Sequence, residues 1–164
     1  MKVAIASDHR GYDMCQQLCE WLDQQEYEVV KLGPASNKPN DYPDPAVAVA
    51  TAVSQMQCEC GILVGGSGIG MSIVANKIRG IRAALVHDAI GADQSRRHND
   101  ANVLCLPSDM LGQRIVNQIV RTWLMTEFEG GRHERRLNKI AELEQTRPMP
   151  NPSQSTNSSP TVSE

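Results

Sequence analysis

The sequence predicts an α/β protein in which a five-stranded parallel sheet is covered by helices on both faces. Short aliphatic runs alternate regularly with stretches whose apolar residues recur at the helical period. This alternation favours parallel strands, because each helix carries the chain back across one face of the sheet. Aromatic residues make up only 4% of the chain, so the core between the layers must be aliphatic.

The amino-terminal half is predicted to contain two strands and two helices. Apolar residues recur every three or four positions after the first strand, which predicts a helix, and Gly33-Pro34 ends the second strand. A polar loop then precedes a helix rich in alanine and valine. In chain order, these elements are a strand at 3–6, a helix at 12–25, a strand at 27–32 and a helix at 43–56.

The rest of the chain continues the same alternation. The third strand is almost entirely apolar, which indicates a central position covered on both faces. A loop with four glycines in six residues, Gly65 to Gly70, follows it. The predicted elements are a strand at 61–64, a helix at 69–78, a strand at 81–86, a loop and helix at 87–98, a strand at 102–106, and helices at 111–127 and 133–144.

The composition bounds the class of protein. We expect one domain over residues 1–145 and a disordered tail over 146–164, where proline, serine, threonine and asparagine leave almost nothing to bury. A formal net charge of −3 gives no general attraction to nucleic acid or to a membrane surface. No apolar run is long enough to span a bilayer or to form a signal peptide, which predicts a cytoplasmic protein.

The chain has five cysteines, and their number and spacing fit no disulfide framework. Cys58 and Cys60 together with a distant histidine would be a conceivable metal site. Reduced, partly buried thiols are the favoured interpretation, and we predict no bound metal.

In an open α/β sheet, ligands bind outside the carboxyl ends of the strands. Applied to this chain, the rule selects four polar segments as the place to look for chemistry. They are 7–10 after the first strand, the glycine-rich loop after the third, 87–88 after the fourth, and 96–100 just before the fifth.

The glycine-rich loop is the strongest local feature. Without Cβ atoms its backbone can approach a ligand closely, and its N–H groups can converge on a phosphate or on a developing oxyanion. A tight turn that packs a helix on the sheet is the simpler interpretation. The loop lacks the lysine of a P-loop. Its glycines loosely resemble a dinucleotide fingerprint, so a nucleotide-binding enzyme is a third hypothesis.

Three further groups carry possible chemistry. Asp8 either contacts a ligand or caps the helix that starts at Tyr12. His98 either acts as a general acid or base or marks a solvated helix end. Arg132 and Arg136 lie four positions apart, so they share one helix face that suits phosphate capture or forms an ordinary basic stripe.

Several segments together resemble the ribose-5-phosphate isomerase B family, which includes galactose-6-phosphate isomerase. The resemblance runs from about residue 1 to residue 144. The matching segments are SDHRGY, DYPD, GILVGGSGIGMSIVANKIRGIRAALVHD, SRRHNDANVLCL and WLMTEFEGGRHERRLNKI.

This resemblance implies an aldose–ketose isomerase that needs no metal or organic cofactor. The implied fold is a Rossmann-like three-layer α/β/α sandwich, assembled as a homodimer or a dimer of dimers with active sites shared between chains. The implied partner is a phosphorylated sugar.

The family's site residues carry over by position. Asp8, Ser67 and His98 would be catalytic: Ser67 belongs to the anion hole for an enediolate, and His98 helps to open the sugar ring. His98 and the other site residues would come from opposite chains. The substrate contacts would be Asp8, His9, Tyr42, Gly66, Ser67, Gly68, Gly70, Asn99, Arg132 and Arg136.

The chain departs from the family at three positions. The family's base is a cysteine at the position of Gly65 or a glutamate at the position of Met71, and neither residue here accepts a proton. An arginine found in many members corresponds to Asp109, which would repel a phosphate. Three explanations stay open: another base such as Asp8, His9 or a thiol; a mixed oligomer with a sister chain; or a binding protein with little activity.

Overall fold

The computed structural model describes residues 1–146. The predicted disordered tail therefore lies outside the described residues, apart from Thr146, which ends the last helix. No helix within the described part is long and apolar enough to cross a membrane. The elements are β1 (Lys2–Ser7), α1 (Tyr12–Gln24), β2 (Glu28–Lys31), α2 (Pro43–Ser54), β3 (Cys60–Gly65), α3 (Ile69–Ala75), β4 (Ala83–Leu85), α4 (Ala89–Asn99), β5 (Val103–Pro107), α5 (Gln113–Met125) and α6 (Arg132–Thr146).

The sheet has five parallel strands in the order β2-β1-β3-β5-β4. This confirms the predicted parallel sheet and the central position of β3, whose six residues are all buried. The strand order reverses direction between β1 and β3, since β2 lies on one side of β1 and the later strands lie on the other. A crevice at such a switch point is where open α/β sheets bind their ligands.

Helices cover both faces, so the three-layer arrangement is confirmed. One face presents Val3, Ile5 and Ile62, which pack with the buried residues of α1 and α5. The opposite face presents the next residue of each strand, such as Ala4 after Val3 and Leu63 after Ile62. These residues pack with α2 and α3. This alternation follows from the two-residue period of a strand.

The last helix lies beside the edge of the sheet. β4 has only three residues, all partly exposed, and α6 has a single buried residue, His133. The Glu144 carboxylate accepts a hydrogen bond from the Gly80 N–H at 3.1 Å, which ties the end of α6 to the turn before β4. A cavity of about 440 Å³ separates α6 from β4, and Asn99 contributes to its wall.

All five cysteines are free and buried, as expected for reduced thiols. Burial is the main cause that raises the pKa of Cys60 and of Cys105 to about 12. These two thiols are therefore protonated at neutral pH and unfit as nucleophiles or bases.

Candidate active site

Asp8 links the end of β1 to the glycine-rich loop after β3. Its Oδ1 atom accepts hydrogen bonds from the N–H groups of Arg10 and Gly11, both at 2.9 Å. Its Oδ2 atom lies 3.4 Å from the Gly66 nitrogen. The side chain does not cap α1, whose N-cap residue is Gly11 with no side-chain bond. Asp8 instead closes the turn before α1 and reaches across to the loop.

The glycine-rich loop requires its glycines for close contacts. Gly68 has a φ of +69°, which residues with a side chain rarely adopt. A Cβ on Gly66 would lie 2.8 Å from the Arg10 Nε atom, and a Cβ on Gly70 would lie 2.6 Å from the Tyr42 ring. Tyr42 therefore packs on the start of α3, and the loop backbone forms part of the wall of the site.

Ser67 lies at the tip of the same loop and is partly exposed. Its hydroxyl oxygen accepts a long hydrogen bond of 3.3 Å from the Ile69 N–H. The hydroxyl proton is not used in that contact and can be donated to a ligand.

Arg10 and Asp109 form an ion pair beside the loop, with 2.6 Å between the guanidinium nitrogen and the carboxylate oxygen. The sequence predicted that Asp109 repels a phosphate. The structure shows that its charge is balanced by Arg10, whose pKa it raises. The sequence analysis selected segment 7–10 but gave Arg10 no role of its own. Its position directly after Asp8-His9 was the available signal, but only the folded chain shows which residue it contacts.

Gly65 and Met71 lie next to each other. A Cβ on Gly65 would be 3.1 Å from the Met71 sulfur and 3.1 Å from the Asp8 Oδ2 atom. Met71 is almost completely buried at 1% exposure. Its thioether therefore fills the space into which a longer side chain at position 65 would extend.

His98 and Asn99 lie at the opposite end of the sheet from the glycine-rich loop. The Asn99 carbonyl accepts a hydrogen bond of 2.9 Å from the guanidinium of Arg82, the residue that directly precedes β4. The prediction that segment 96–100 lies at the carboxyl edge is wrong. α4 begins after the carboxyl end of β4 and runs antiparallel to the strands, so its last turn returns to their amino ends.

Arg132 lies with His98 in this second group. The His98 and His133 rings are stacked with 4.4 Å between their centroids, and the Arg132 Nε atom lies 3.3 Å from His133 Nε2. Arg136, one turn further along α6, is close enough to affect the pKa of His133. The expectation that His98 comes from one chain and all other site residues from the opposite chain is therefore corrected, because a single chain groups His98 with the arginines.

His133 was also missed by the sequence analysis. It is the buried residue between the two arginines, and burial is the largest cause that lowers its pKa below the usual 6.5. The positive charges of Arg132 and Arg136 act in the same direction. The one sequence signal was its position four residues after Glu129, whose carboxylate lies 3.6 Å from His133 Nε2.

His98, Glu129 and His133 are the residues of the described chain with the spacing of a metal site, since their ligand atoms lie within 4.8 Å of one another. Arg97 already binds the Glu129 carboxylate at 3.3 Å, and Arg132 lies against the nitrogen that His133 would offer. These cations compete for the same lone pairs. The arrangement suits an anion better than a metal ion.

The predicted site residues therefore fall into two groups. At the carboxyl ends of the strands, Asp8 and Tyr42 lie at the glycine-rich loop with Ser67, and His9 is exposed beside Asp8. At the amino ends, His98 and Asn99 lie with Arg132 and Arg136. A sequence model of the family described as ribose/galactose isomerase matches residues 3–140. The chain belongs to the ribose/galactose isomerase family.

Individual members of the ribose/galactose isomerase family are similar to this chain over nearly their whole length. Ribose-5-phosphate isomerase B of Escherichia coli (strain K12) is 40% identical over 146 residues, which cover 89% of this chain and 98% of the relative. The structure of ribose-5-phosphate isomerase B of Clostridium thermocellum has a TM-score of 0.87 at 45% identity, covering 88% of this chain and 98% of that one. The Mycoplasma genitalium enzyme with bound ribulose 5-phosphate has a TM-score of 0.85 at 40% identity, covering 89% and 97%.

Proposed function

We propose that this protein is an aldose–ketose isomerase that interconverts ribose 5-phosphate and ribulose 5-phosphate, or a related pentose or hexose phosphate, through an enediolate. Such a reaction belongs to the pentose phosphate pathway. One observation carries the proposal: Asp8 is held against a glycine-rich loop at the switch point of the sheet, with Tyr42 packed on the same loop. The similar proteins of Escherichia coli and Clostridium thermocellum, both named ribose-5-phosphate isomerase B, agree with this activity.

The groups present match the needs of this chemistry. Moving a proton between two adjacent carbons requires a base and a stabiliser for the oxyanion that forms. Backbone N–H groups of the loop and the Ser67 hydroxyl would supply the stabiliser. His98 would protonate the ring oxygen to open the cyclic sugar. Arg132 and Arg136 would hold the phosphate, and such remote binding positions the reacting carbons.

We further propose that the functional unit is a homodimer, or a dimer of dimers, whose active sites are shared between chains. Within one chain, Asp8 and His98 lie at opposite ends of the sheet, so one small sugar cannot contact both. A second copy that brings its His98, Asn99 and Arg132 to the glycine-rich loop would complete the site. Ile69 and Ile73 support this, because they are 50% and 54% exposed on α3, beside the loop, and would be covered by a partner.

Mixing two inactive variants tests the shared site. An Asp8→Asn chain and a His98→Asn chain each damage both sites of their own dimer. In a mixed dimer, one site carries both changes and the other carries neither. Equal mixing after unfolding and refolding is expected to restore about a quarter of the wild-type activity. Mixtures that stay inactive, although mass spectrometry shows mixed dimers, would contradict the shared-site proposal.

Proton exchange tests the reaction itself. Purified protein is incubated in deuterated water with ribose 5-phosphate and, separately, with a panel of hexose 6-phosphates. We expect deuterium to enter at C2 of one aldose phosphate together with appearance of the ketose, both followed by NMR. If no substrate exchanges its C2 proton, the isomerase proposal fails.

The contact between Gly65 and Met71 favours a second candidate function. Neither side chain can accept a proton, so the chain would be a sugar-phosphate-binding protein with little activity, or one subunit of a mixed isomerase. A rise in melting temperature with ribose 5-phosphate but no C2 exchange would identify the binder. Exchange that appears only after a related chain is added would identify the mixed oligomer.

The location of the protein is part of the same proposal. Five free thiols are typical of a reducing compartment, which supports the cytoplasm. Microscopy of a fluorescent fusion tests this location.

A further inference from the structure

We propose that the Oδ2 atom of Asp8 is the base that removes the carbon-bound proton in this protein. The inference rests on the proposed isomerase function and names the one group that function leaves open. It follows from the hydrogen bonds that the two oxygens of this carboxylate accept. It also follows from the burial or ion pairing of the other candidate bases in the described chain.

The two oxygens of Asp8 have different surroundings. Oδ1 accepts two backbone hydrogen bonds of 2.9 Å, from Arg10 and Gly11, which fix the carboxylate in one orientation. Among residues 1–146, Oδ2 has only the 3.4 Å hydrogen-bond contact with the Gly66 nitrogen. An ionised carboxylate has about four lone-pair positions, so Oδ2 keeps at least one for a proton. The side chain is therefore held rigidly while its second oxygen stays available.

The free oxygen lies at the glycine-rich loop. Oδ2 is 3.1 Å from the point where a Cβ on Gly65 would be, which places it directly beside the end of β3. Because Gly65 has no side chain, nothing from that residue separates Oδ2 from a sugar bound on the loop. Asp8 is only 9% exposed, so a bound ligand would exclude much of the remaining water.

The other candidate bases are less suitable. The Asp109 carboxylate is already engaged by the Arg10 guanidinium in an ion pair of 2.6 Å, so it is not free to face a bound sugar. All five thiols are buried, and Cys60 and Cys105 have pKa values raised to about 12. His9 is exposed, and the chemical label described below tests it directly.

The proposed step balances without another reactant. Oδ2 takes the proton from C2 of the open-chain aldose, and the electrons of that C–H bond form the C1–C2 double bond of the enediolate. The carbonyl oxygen at C1 takes the negative charge, and the hydroxyl proton on the C2 oxygen then moves to it. The new carboxylic acid of Asp8 returns its proton to C1 as the C2 carbonyl forms. Asp8 ends the cycle ionised.

Asp8→Asn tests the assignment, because the amide oxygen still accepts the Arg10 and Gly11 hydrogen bonds but the side chain cannot remove a proton. We expect C2 exchange of the substrate to slow by about 10²–10⁴-fold. Asp93→Asn, which removes a partly exposed carboxylate of α4 outside the site, is the matched control and keeps exchange within about tenfold of wild type. A purely structural role for Asp8 would instead raise KM and lower the melting temperature with kcat retained. Asp8→Asn that exchanges as fast as wild type overturns the inference.

A chemical label applies the same test to the unmodified protein. Bromohydroxyacetone phosphate presents a carbon from which a nearby carboxylate oxygen displaces bromide to form an ester. We expect peptide mass spectrometry to find the ester on Asp8, with protection by ribose 5-phosphate. Labelling of His9 or another residue without Asp8 overturns the inference even if the variant does not fold. If the wild-type protein shows no C2 exchange, the isomerase proposal fails. The label is a separate result, because it shows whether the carboxylate that faces a bound sugar phosphate is Asp8.

Discussion

The imidazole rings of His98 and His133 are stacked almost parallel, with 4.4 Å between their centroids and 9° between their planes. His98 lies in the last turn of α4 and His133 in the first turn of α6, so this contact joins two helices that otherwise touch little. Arg132 and Arg136 add positive charge around the pair. Protonation of His133 would place a third cation in a mostly buried position, which is why its pKa is lowered.

The lowered pKa of His133 predicts how stability depends on pH. The unfolded chain takes up the proton near the usual pKa of 6.5, whereas the folded chain takes it up only at lower pH. The contribution is therefore fully present above pH 6.5 and is lost as the pH falls through the folded pKa. We expect the melting temperature of wild type to fall more between pH 7.5 and 5.5 than that of His133→Phe, which keeps a stacked ring.

An exposed histidine provides the control for this measurement. His87→Gln removes an exposed imidazole outside the stack and is expected to follow the wild-type curve. Equal pH dependence of His133→Phe and wild type would show that His133 titrates normally in the folded protein.

Asp109→Asn is predicted to strengthen the binding of phosphorylated sugars. The change releases Arg10 from its ion pair, and the guanidinium beside the glycine-rich loop becomes available to an anion. The pair is exposed, so stability is expected to change little. We expect KM for the substrate to fall several-fold with kcat nearly unchanged.

A second ion pair provides the matched control for that prediction. Asp93 binds Arg97 in a similarly exposed contact on α4. Asp93→Asn is therefore expected to leave KM unchanged. If Asp109→Asn and Arg10→Ala both raised KM, the ion pair itself would be needed for binding and the prediction would be wrong.

Gly70→Ala is predicted to displace Tyr42 from the glycine-rich loop. The new Cβ would lie 2.6 Å from the ring, and the ring is 44% exposed, so it can move outward. We expect KM to rise, with only a modest loss of stability.

Gly70→Ala combined with Tyr42→Ala should behave like Tyr42→Ala alone, because the two changes act through the same contact. Additive effects of the two changes on KM would refute this. Gly112→Ala is the control, since no atom of the described residues lies within 4 Å of its new Cβ.

The sequence predicted the parallel sheet and the meeting of Asp8 with the glycine-rich loop, because hydrophobic period and strand polarity determine both. It predicted strand four at 81–86, whereas β4 comprises three residues. It predicted that the third helix extends to residue 78, but α3 ends at Ala75. The reason is that Asn76 bonds the backbone of Ala83 on both its N–H and its carbonyl, and this pulls the chain out of the helix.

The errors at the site have a different physical origin. Segment 96–100 was assigned to the wrong edge because the rule for strand ends was applied to residues before a strand, where the chain has already returned to the amino ends. The Arg10 ion pair and the stacking of His133 on His98 depend on side-chain conformations. Neither the period of hydrophobic residues nor the spacing of charged residues along the chain predicts these conformations.

Gly65→Cys is predicted to fold and to give little additional activity. The new Cβ would lie 3.1 Å from the Met71 sulfur, and the flexible thioether can shift, so the loss of stability is expected at the lower end of about 1–3 kcal/mol. Gly65→Cys should cost less in a Met71→Ala background than in wild type, because the crowding sulfur is then absent. The new thiol would lie beside the Asp8 carboxylate, whose charge disfavours a thiolate. We therefore expect C2 exchange within about tenfold of wild type. An increase of a hundredfold or more would show that the natural chain lacks a working base and is the weak sugar-phosphate binder.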